Sequence, residues 1–414
     1  MTNQLWFHID INSYFASILQ QEIPSLRGKP LGVVKDLGRT CLIATSREAK
    51  QYGIKTGISL KDARVLYPKI TILPAAFHLY LSATQKLERV LRSFTPDVEV
   101  FSLDEAFLLY SPIERHFTSP EEAARSIQES IKQSLGEWVT CSVGIAENKF
   151  LAKLAGELCP TDQILHVTEK NKDLLLASAR FKDVCGVGLR LEKKLQTLGV
   201  TNPYAIRFIP QETLEKVVGF FWAEELKKIA YGEETHFLSH TRKVPYMQSV
   251  SRSITCMKAP WSTDEQLRSV LYNLTLDISY KARLLKLSGR NFSVSFTGRN
   301  EYWKTAQTFT APLSHGTDTA QLIWETVQKS WKDTFPVVRC RVSLNLLSPH
   351  TFSQEGLLPG WQRTEKIEAA LLKINKKYGD HMVRPAVLLS RSQLLKPEVT
   401  GFFGDKEFYA LSST

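Results

Sequence analysis

Two kinds of apolar spacing run along this chain in alternation. Residues 4 to 12, 97 to 110 and 139 to 145 are dense in aliphatic and aromatic side chains and read as strands. Residues 77 to 95, 119 to 135 and 147 to 158 place apolar residues three and four apart, as helices do. Ser119-Pro120-Glu121-Glu122 marks a helix start, with an N-cap, a proline in the first turn and a capping-box glutamate. Short strands at Gly32-Val33-Val34 and Cys41 to Thr45, with helices near 46 to 51 and 59 to 66, predict a unit small enough to be a lid.

From 168 to 235 the pattern turns helical, with Gly186-Val187-Gly188 between two helical stretches. Glycines there let backbone amides and a helix N-terminus approach a phosphate, and a plain interhelical turn is the alternative. A second unit follows in the order strand 249 to 257, helix 263 to 287, strand 290 to 298, strand 303 to 311, helix 317 to 333 and strand 337 to 346. Ser262-Thr263-Asp264-Glu265 reads as its capping box and Gly289 as the helix exit. Its strands alternate, with Val338, Cys340, Val342 and Leu344 on one face and Arg339, Arg341, Ser343 and Asn345 on the other. Ser249, Ser251, Ser253 and Thr255 repeat the theme, as do Asn291, Ser293, Ser295 and Thr297. That polar face, flanked by Arg252, Arg290 and Arg299, is suited to phosphate contacts.

Composition narrows the class. A chain of 414 residues with 43% hydrophobic content has ample material for two to four domains. No apolar run is long enough to span a membrane, and Met1-Thr2-Asn3-Gln4 lacks the character of a signal peptide, so a cytoplasmic protein is expected. The six cysteines are scattered without a C-x-x-C pair and read as reduced thiols. A net charge of +11 favours a polyanionic partner, nucleic acid or membrane surface alike.

Chemistry enters with misplaced acids. Asp10 interrupts the apolar run Leu5 to Phe15, and Ser102-Leu103-Asp104-Glu105-Ala106 sets two carboxylates between two strands. Like charges about 4 Å apart repel by roughly 4 kcal/mol at an effective dielectric near 20, so gathering the three acids calls for cations. Hard oxygen donors favour Mg²⁺ or Mn²⁺. Neighbours on a regular strand face opposite ways, so Asp104 and Glu105 can serve one site only at a turn or bulge, which is where the pattern puts them. The other reading is a solvated turn beside a core aspartate. His8 shares a strand face with Asp10 and reads as a core histidine, and the pair His236 and His240 has metal-pair spacing without a third ligand.

Together with Cys141-Ser142-Val143-Gly144-Ile145-Ala146-Glu147-Asn148-Lys149-Phe150-Leu151-Ala152-Lys153, these segments resemble the Y-family, translesion-type DNA polymerases. Three motifs stand in the family's order and spacing, from about residue 4 through the hairpin near 186 and more weakly to about 347. The resemblance implies an α+β multidomain, right-hand polymerase. Its ferredoxin-like palm covers 1–12 and 78–167, small fingers 13–77, and a helix-hairpin-helix thumb 168–235. A linker spans 236–248 with Arg242 and Lys243, a βαββαβ little finger spans 249–349, and 350–414 form a tail with one helix from Thr364 to Tyr378.

The same resemblance implies error-prone extension of primer-template DNA with deoxynucleoside triphosphates during damage bypass, on two Mg²⁺ ions or Mn²⁺. Asp10, Asp104, Glu105 and the Ile11 carbonyl become the metal ligands. Phe15 becomes the gate that excludes a 2′-hydroxyl, with Tyr14 beside it. Arg47 and Lys50 stand where the family grips triphosphate with a Tyr and an Arg. Cys159-Pro160 departs from the family's Lys-Pro, and Lys149 or Lys153 is the expected substitute; Asn12 replaces an Asp that is not a ligand. Gly186, Gly188, Arg242, Lys243, Arg252, Arg290, Arg299, Arg339 and Arg341 become DNA contacts. A monomer held on DNA by a sliding clamp is expected, with Gln393-Leu394-Leu395 faintly resembling a clamp-binding peptide. The rivals are a non-catalytic polymerase-like accessory protein and a two-metal nuclease.

Overall fold

The structure, a computed structural model, describes residues 4–35, 41–238, 249–256, 259–313, 316–332, 335–349, 361–378 and 382–383. In chain order its strands are β1 (Trp6–Ile11), β2 (Leu31–Val34), β3 (Leu42–Thr45), β4 (Thr71–Pro74), β5 (Val98–Val100), β6 (Glu105–Leu109), β7 (Cys141–Ala146), β8 (Ile164–His166), β9 (Ser249–Thr255), β10 (Leu287–Thr297), β11 (Tyr302–Leu313) and β12 (Arg339–Pro349). They form sheets ordered β5-β6-β1-β7-β8, β3-β2-β4 and β11-β10-β12-β9. The chain divides into residues 1–243, holding the first two sheets, and residues 244–414, holding the third.

β1 is the middle strand of the five-stranded sheet, antiparallel to β6 on one side and β7 on the other. Its period of two sends Phe7, Ile9 and Ile11 to one face and Trp6, His8 and Asp10 to the other. On the first face, helices Tyr14–Glu22, Phe77–Phe94 and Pro120–Leu135 bury Phe15, Tyr80, Leu87, Ile127 and Ile131 against it. Each large apolar side chain removed from water there stabilises by about 1.5–3 kcal/mol. Helix Tyr14–Glu22 shares this core with Leu31 and Val33 of β2.

The second face is covered by helix Lys149–Leu158, whose Leu151, Leu154 and Ala155 join Phe107, Ala146 and the helical segment beyond. Two glycines permit the approach. A Cβ on Gly144 would lie 2.1 Å from the Ala152 carbonyl oxygen, and one on Gly156 would lie 2.5 Å from His8 Nδ1. Asn148 caps this helix through the Leu151 amide (2.9 Å) and also donates to the Gly232 carbonyl (2.8 Å), while Glu234 accepts from the Lys149 amide (3.0 Å). The end of the helical segment is thereby tied to the start of the helix.

Capping falls near, but not always on, the expected residues. Ser119 accepts from the Glu122 amide as read, yet Glu122 closes on the Thr118 amide (2.7 Å), one residue early for a capping box. The box expected at Ser262 and Glu265 is formed one residue later, by Thr263 and Gln266. β4, parallel to β2, and β8, parallel to β7, are strands the sequence reading missed. The small sheet has its own core of Val34, Leu42, Ala49, Ile54, Ala63 and Ile70. In the helical segment, a single 3-10 turn (Phe181–Asp183) precedes Gly186, whose φ is +88°, and Gly188 opens helix Leu189–Gln196.

In the second unit, helices Asp264–Leu284 and Gly316–Ser330 bury Leu271, Ile278, Ile323 and Val327 against Val250, Phe292, Val294, Val342 and Leu344. The order strand, helix, two strands, helix, strand is the one expected. Gly289 is not the helix exit. The helix ends at Leu284, the left-handed turn falls on Lys286 (φ +54°), and Gly289 lies in β10 at an irregularity in pairing. A Cβ there would meet Leu344 at 2.5 Å. The tail helix runs Trp361–Tyr378, and the other tail positions named from sequence, Gln393-Leu394-Leu395 and the aromatic end, lie outside the described residues.

Candidate active site

Asp10 on β1 and Glu105 on β6 are register partners, so their side chains share the face covered by helix Lys149–Leu158. Asp104 is the last residue of the turn before β6. Its carbonyl accepts the Ile11 amide (3.0 Å), while the Phe101 and Ser102 amides both reach the Glu105 carbonyl (3.0 and 3.1 Å). This turn breaks the alternation that would have sent Asp104 and Glu105 to opposite faces. The Ser102 hydroxyl donates to Asp104 Oδ1 at 2.5 Å. The side chain of Ile11 is buried in the opposite core, which leaves only its backbone for the site.

Glu105 is the most constrained of the three acids. His8 Nε2 lies 3.0 Å from Glu105 Oε2, and the Lys153 ammonium pairs with the same oxygen. A carboxylate only accepts, so His8 carries its proton on Nε2, and its Nδ1 has no partner. Lys153 also stands over the Phe101 ring, 5.0 Å from its centroid. Burial alone would raise the Glu105 pKa; the His8 bond and the Lys153 charge overcome it and hold it at about 2. Asp10 is pushed well above the usual range, first by burial and then by the charges of Asp104 and Glu105. Burial also raises Asp104, against the Ser102 bond.

The donor set fits hard divalent cations: three acceptor-only carboxylates, two of them costly to ionise, beside one lysine. Among the described residues, no three His, Cys, Asp or Glu side chains are gathered tightly enough to grip an ion as they stand.

Phe15 is reached through a short link. Ser13 takes a left-handed conformation (φ +51°), which starts helix Tyr14–Glu22 directly after Ile11 and Asn12. Phe15 packs 4.4 Å from the Tyr80 ring and is 6% exposed. Tyr14 is buried, and its hydroxyl donates to the Tyr80 carbonyl (2.5 Å) inside the core.

Arg47 and Lys50 lie on helix Arg47–Gln51, with Lys50 exposed. Arg47 donates to Thr140 Oγ1 (3.3 Å), and Thr140 in turn donates to Asn12 Oδ1 (2.9 Å), a chain that ends two residues from Asp10. Neither lysine expected to replace the missing family lysine is free for phosphate. Lys153 is paired with Glu105, and Lys149 is buried against Glu99 (2.5 Å) and the Trp6 ring.

The DNA-contact candidates separate by face. Arg339 and Arg341 are exposed on the open face of the third sheet and reach Ser253 Oγ (3.4 Å) and Ser251 Oγ (3.0 Å). Arg290 is exposed at the β10 irregularity and Arg299 at the turn after β10. Arg252 is a correction: it points with Val250 into the helix-covered side and pairs with Asp277, so it is removed from the polar face. Arg242, Lys243 and His240 lie outside the described residues, and His236 is exposed with its amide on Glu225 (2.7 Å).

Sequence reasoning missed two neighbours of the site. His8, bonded to Glu105, had the signal of sharing a face with Asp10, and Trp138, which contacts Arg47, had none.

Residues 9–157 match the impB/mucB/samB family and residues 247–357 its C-terminal domain. The chain is 30% identical over 400 residues to the DNA polymerase IV of Moorella thermoacetica, covering 93% of this chain and 96% of that protein. It is 25% identical over 402 residues to DNA polymerase IV 2 of Bacillus subtilis, covering 95% and 97%. In fold it is similar to the solved Y-family DNA polymerase chimera Dbh-Dpo4(243-245)-Dbh, with a TM-score of 0.69 at 21% identity over 82% of this chain and 98% of that one.

Proposed function

Since the chain belongs to the impB/mucB/samB family, the Y-family DNA polymerases, we propose that Asp10, Asp104 and Glu105 are the catalytic carboxylates of this translesion DNA polymerase. The observation that carries the assignment is the pairing of Asp10 with Glu105 across β1 and β6, with Asp104 latched to the Ile11 amide. The fold is the right-hand polymerase: the five-stranded sheet is the palm, the small sheet the fingers, the helical segment the thumb and the third sheet the little finger.

Asp10, Asp104, Glu105 and the Ile11 carbonyl would hold two magnesium ions, or manganese, which when bound neutralise the triphosphate and ease ionisation of the primer 3′-hydroxyl. His8 and Lys153 fix the Glu105 carboxylate. Phe15 lies against the deoxyribose and leaves no room for a 2′-hydroxyl. Arg47 and Lys50 take the triphosphate, and Lys50 contributes a point charge where a guanidinium would give a fork. The amides around Gly186 and Gly188, with Arg290, Arg299, Arg339 and Arg341, hold the DNA backbone and carry no sequence information. Work of this kind is alignment and charge stabilisation, since no covalent step falls to the protein. A monomer in the cytoplasm with a sliding clamp as partner completes the proposal; no helix among the described residues is long and apolar enough to cross a membrane.

Primer extension in Mg²⁺, with a chelator control, tests this. Lengthening of the primer is expected. An accessory protein leaves it unchanged, and a nuclease shortens it.

A further inference from the structure

Arg47 is the candidate triphosphate ligand, and it does not stand alone. Its guanidinium carbon lies 5.6 Å from the centre of the Trp138 ring, and the guanidinium of Arg27 lies 5.9 Å from the same ring. Trp138 is itself fixed at two points. Its indole Nε1 donates to Gln20 Oε1 (3.1 Å), and its backbone amide donates to Gln21 Oε1 (2.9 Å). Gln20 is fully buried and its amide nitrogen donates to the carbonyls of Leu26 (3.2 Å) and Lys29 (3.3 Å) and to Glu48 (3.1 Å). Glu48 is the neighbour of Arg47 on the same short helix.

The ring therefore joins three parts of the first unit: helix Tyr14–Glu22, the loop carrying Arg27, and helix Arg47–Gln51. A guanidinium over an indole face is held by the ring quadrupole while its edge remains open for further hydrogen bonds. The Thr140 hydroxyl takes one of those bonds. The long Arg47 side chain is thus restrained in one region before any anion arrives, which reduces the freedom lost on binding.

We propose that Trp138 is a positioning residue for the incoming nucleotide, holding Arg47 at Thr140 by stacking and by its anchorage on Gln20 and Gln21. This rests on the reading of Arg47 as a triphosphate ligand. Trp138 touches no substrate; it acts through Arg47.

The experiment is steady-state insertion of one deoxynucleotide on a primer-template by the full chain, for Trp138→Leu, Trp138→Phe, Arg47→Ala and the Arg47→Ala, Trp138→Leu double variant. Trp138→Leu raises KM for the nucleotide about fivefold, equivalent to about 1 kcal/mol, and leaves kcat within about twofold. Trp138→Phe, which keeps an aromatic face, restores most of the loss. In the Arg47→Ala background, Trp138→Leu adds no further rise, because the group it positions is gone.

A normal KM in Trp138→Leu beside a raised KM in Arg47→Ala overturns the proposal while the reading of Arg47 stands. A normal KM in Arg47→Ala removes Arg47 from the triphosphate site and the proposal with it. Additive effects in the double variant, or parallel losses of kcat and melting temperature with no rescue by Phe, show a merely structural tryptophan and also overturn it.

Discussion

Replacing Gly156 by alanine sets two opposing effects against each other, and the structure decides which wins. In the interior of helix Lys149–Leu158, alanine is favoured over glycine by about 1 kcal/mol. The new Cβ, however, would lie 2.5 Å from His8 Nδ1 and 3.4 and 3.5 Å from two more imidazole atoms. That ring has nowhere to retreat: it is 2% exposed, 4.9 Å from the Phe107 ring, and bonded through Nε2 to Glu105. Overpacking of this kind costs about 1–3 kcal/mol, and losing a hydrogen bond to a charged acceptor costs about 1.5–3 kcal/mol more. Gly156→Ala is therefore expected to destabilise by about 1.5–5 kcal/mol net, seen as a lower urea midpoint by circular dichroism.

The same shift moves Glu105 or Lys153 off its present position, and single-nucleotide insertion is expected to slow by at least about tenfold. In a His8→Ala background the clash is gone, so Gly156→Ala there should be neutral or stabilising by up to about 1 kcal/mol. A Gly156→Ala protein that is more stable than the parent and inserts nucleotides at the parent rate would refute the packing argument.

Four further outcomes are expected. Asp10→Asn should abolish primer extension and yet raise the melting temperature of chelator-treated protein at pH 7. The folded pKa of Asp10 is raised above its unfolded value, so its ionisation costs stability once pH climbs through the folded value, and a lower melting temperature would contradict this. Glu105 has the opposite sign. Its pKa is depressed to about 2, so its contribution is complete above the ordinary glutamate range and is lost as acid titration runs down toward pH 2; Glu105→Gln should flatten that part of the stability profile. Phe15→Val should admit ribonucleotides, at a stability cost of about 1–3 kcal/mol from the lost packing on Tyr80, and unchanged sugar discrimination would remove Phe15 from the gate. Arg341→Ala should weaken DNA binding and lower the salt dependence by about one phosphate contact, whereas Arg252→Ala should instead destabilise the second unit by on the order of 3 kcal/mol by breaking its buried pair with Asp277. An equal loss of DNA affinity in both variants would sink the division into faces.

The chain's periodicities exposed a good deal of this. A single acid inside an apolar strand, and two more at the junction of two strands, were enough to bring Asp10, Asp104 and Glu105 together, because strand register follows from the hydrophobic pattern. The alternation in β9 also carried the fate of Arg252, since it has the parity of Val250 and Ile254; grouping it with nearby arginines ignored that signal. Other features were not local. The bonds of His8 and Lys153 to Glu105 span 97 and 48 residues and depend on how closely a helix approaches a sheet, which two glycines set. β4 and β8 are too short to show a period, and Lys286 adopts a left-handed turn that glycine would ordinarily fill.

The seating of Asp10 on the innermost strand has a consequence for how such a protein can vary. With partners on both edges and separate cores above and below, β1 opens only when the whole first sheet does, so its amides should be among the slowest to exchange with deuterated solvent. The small sheet and the third sheet have hydrophobic interiors of their own. Changes that retune grip or tolerance of a distorted template can accumulate in those peripheral bodies while the bond-forming centre keeps its geometry.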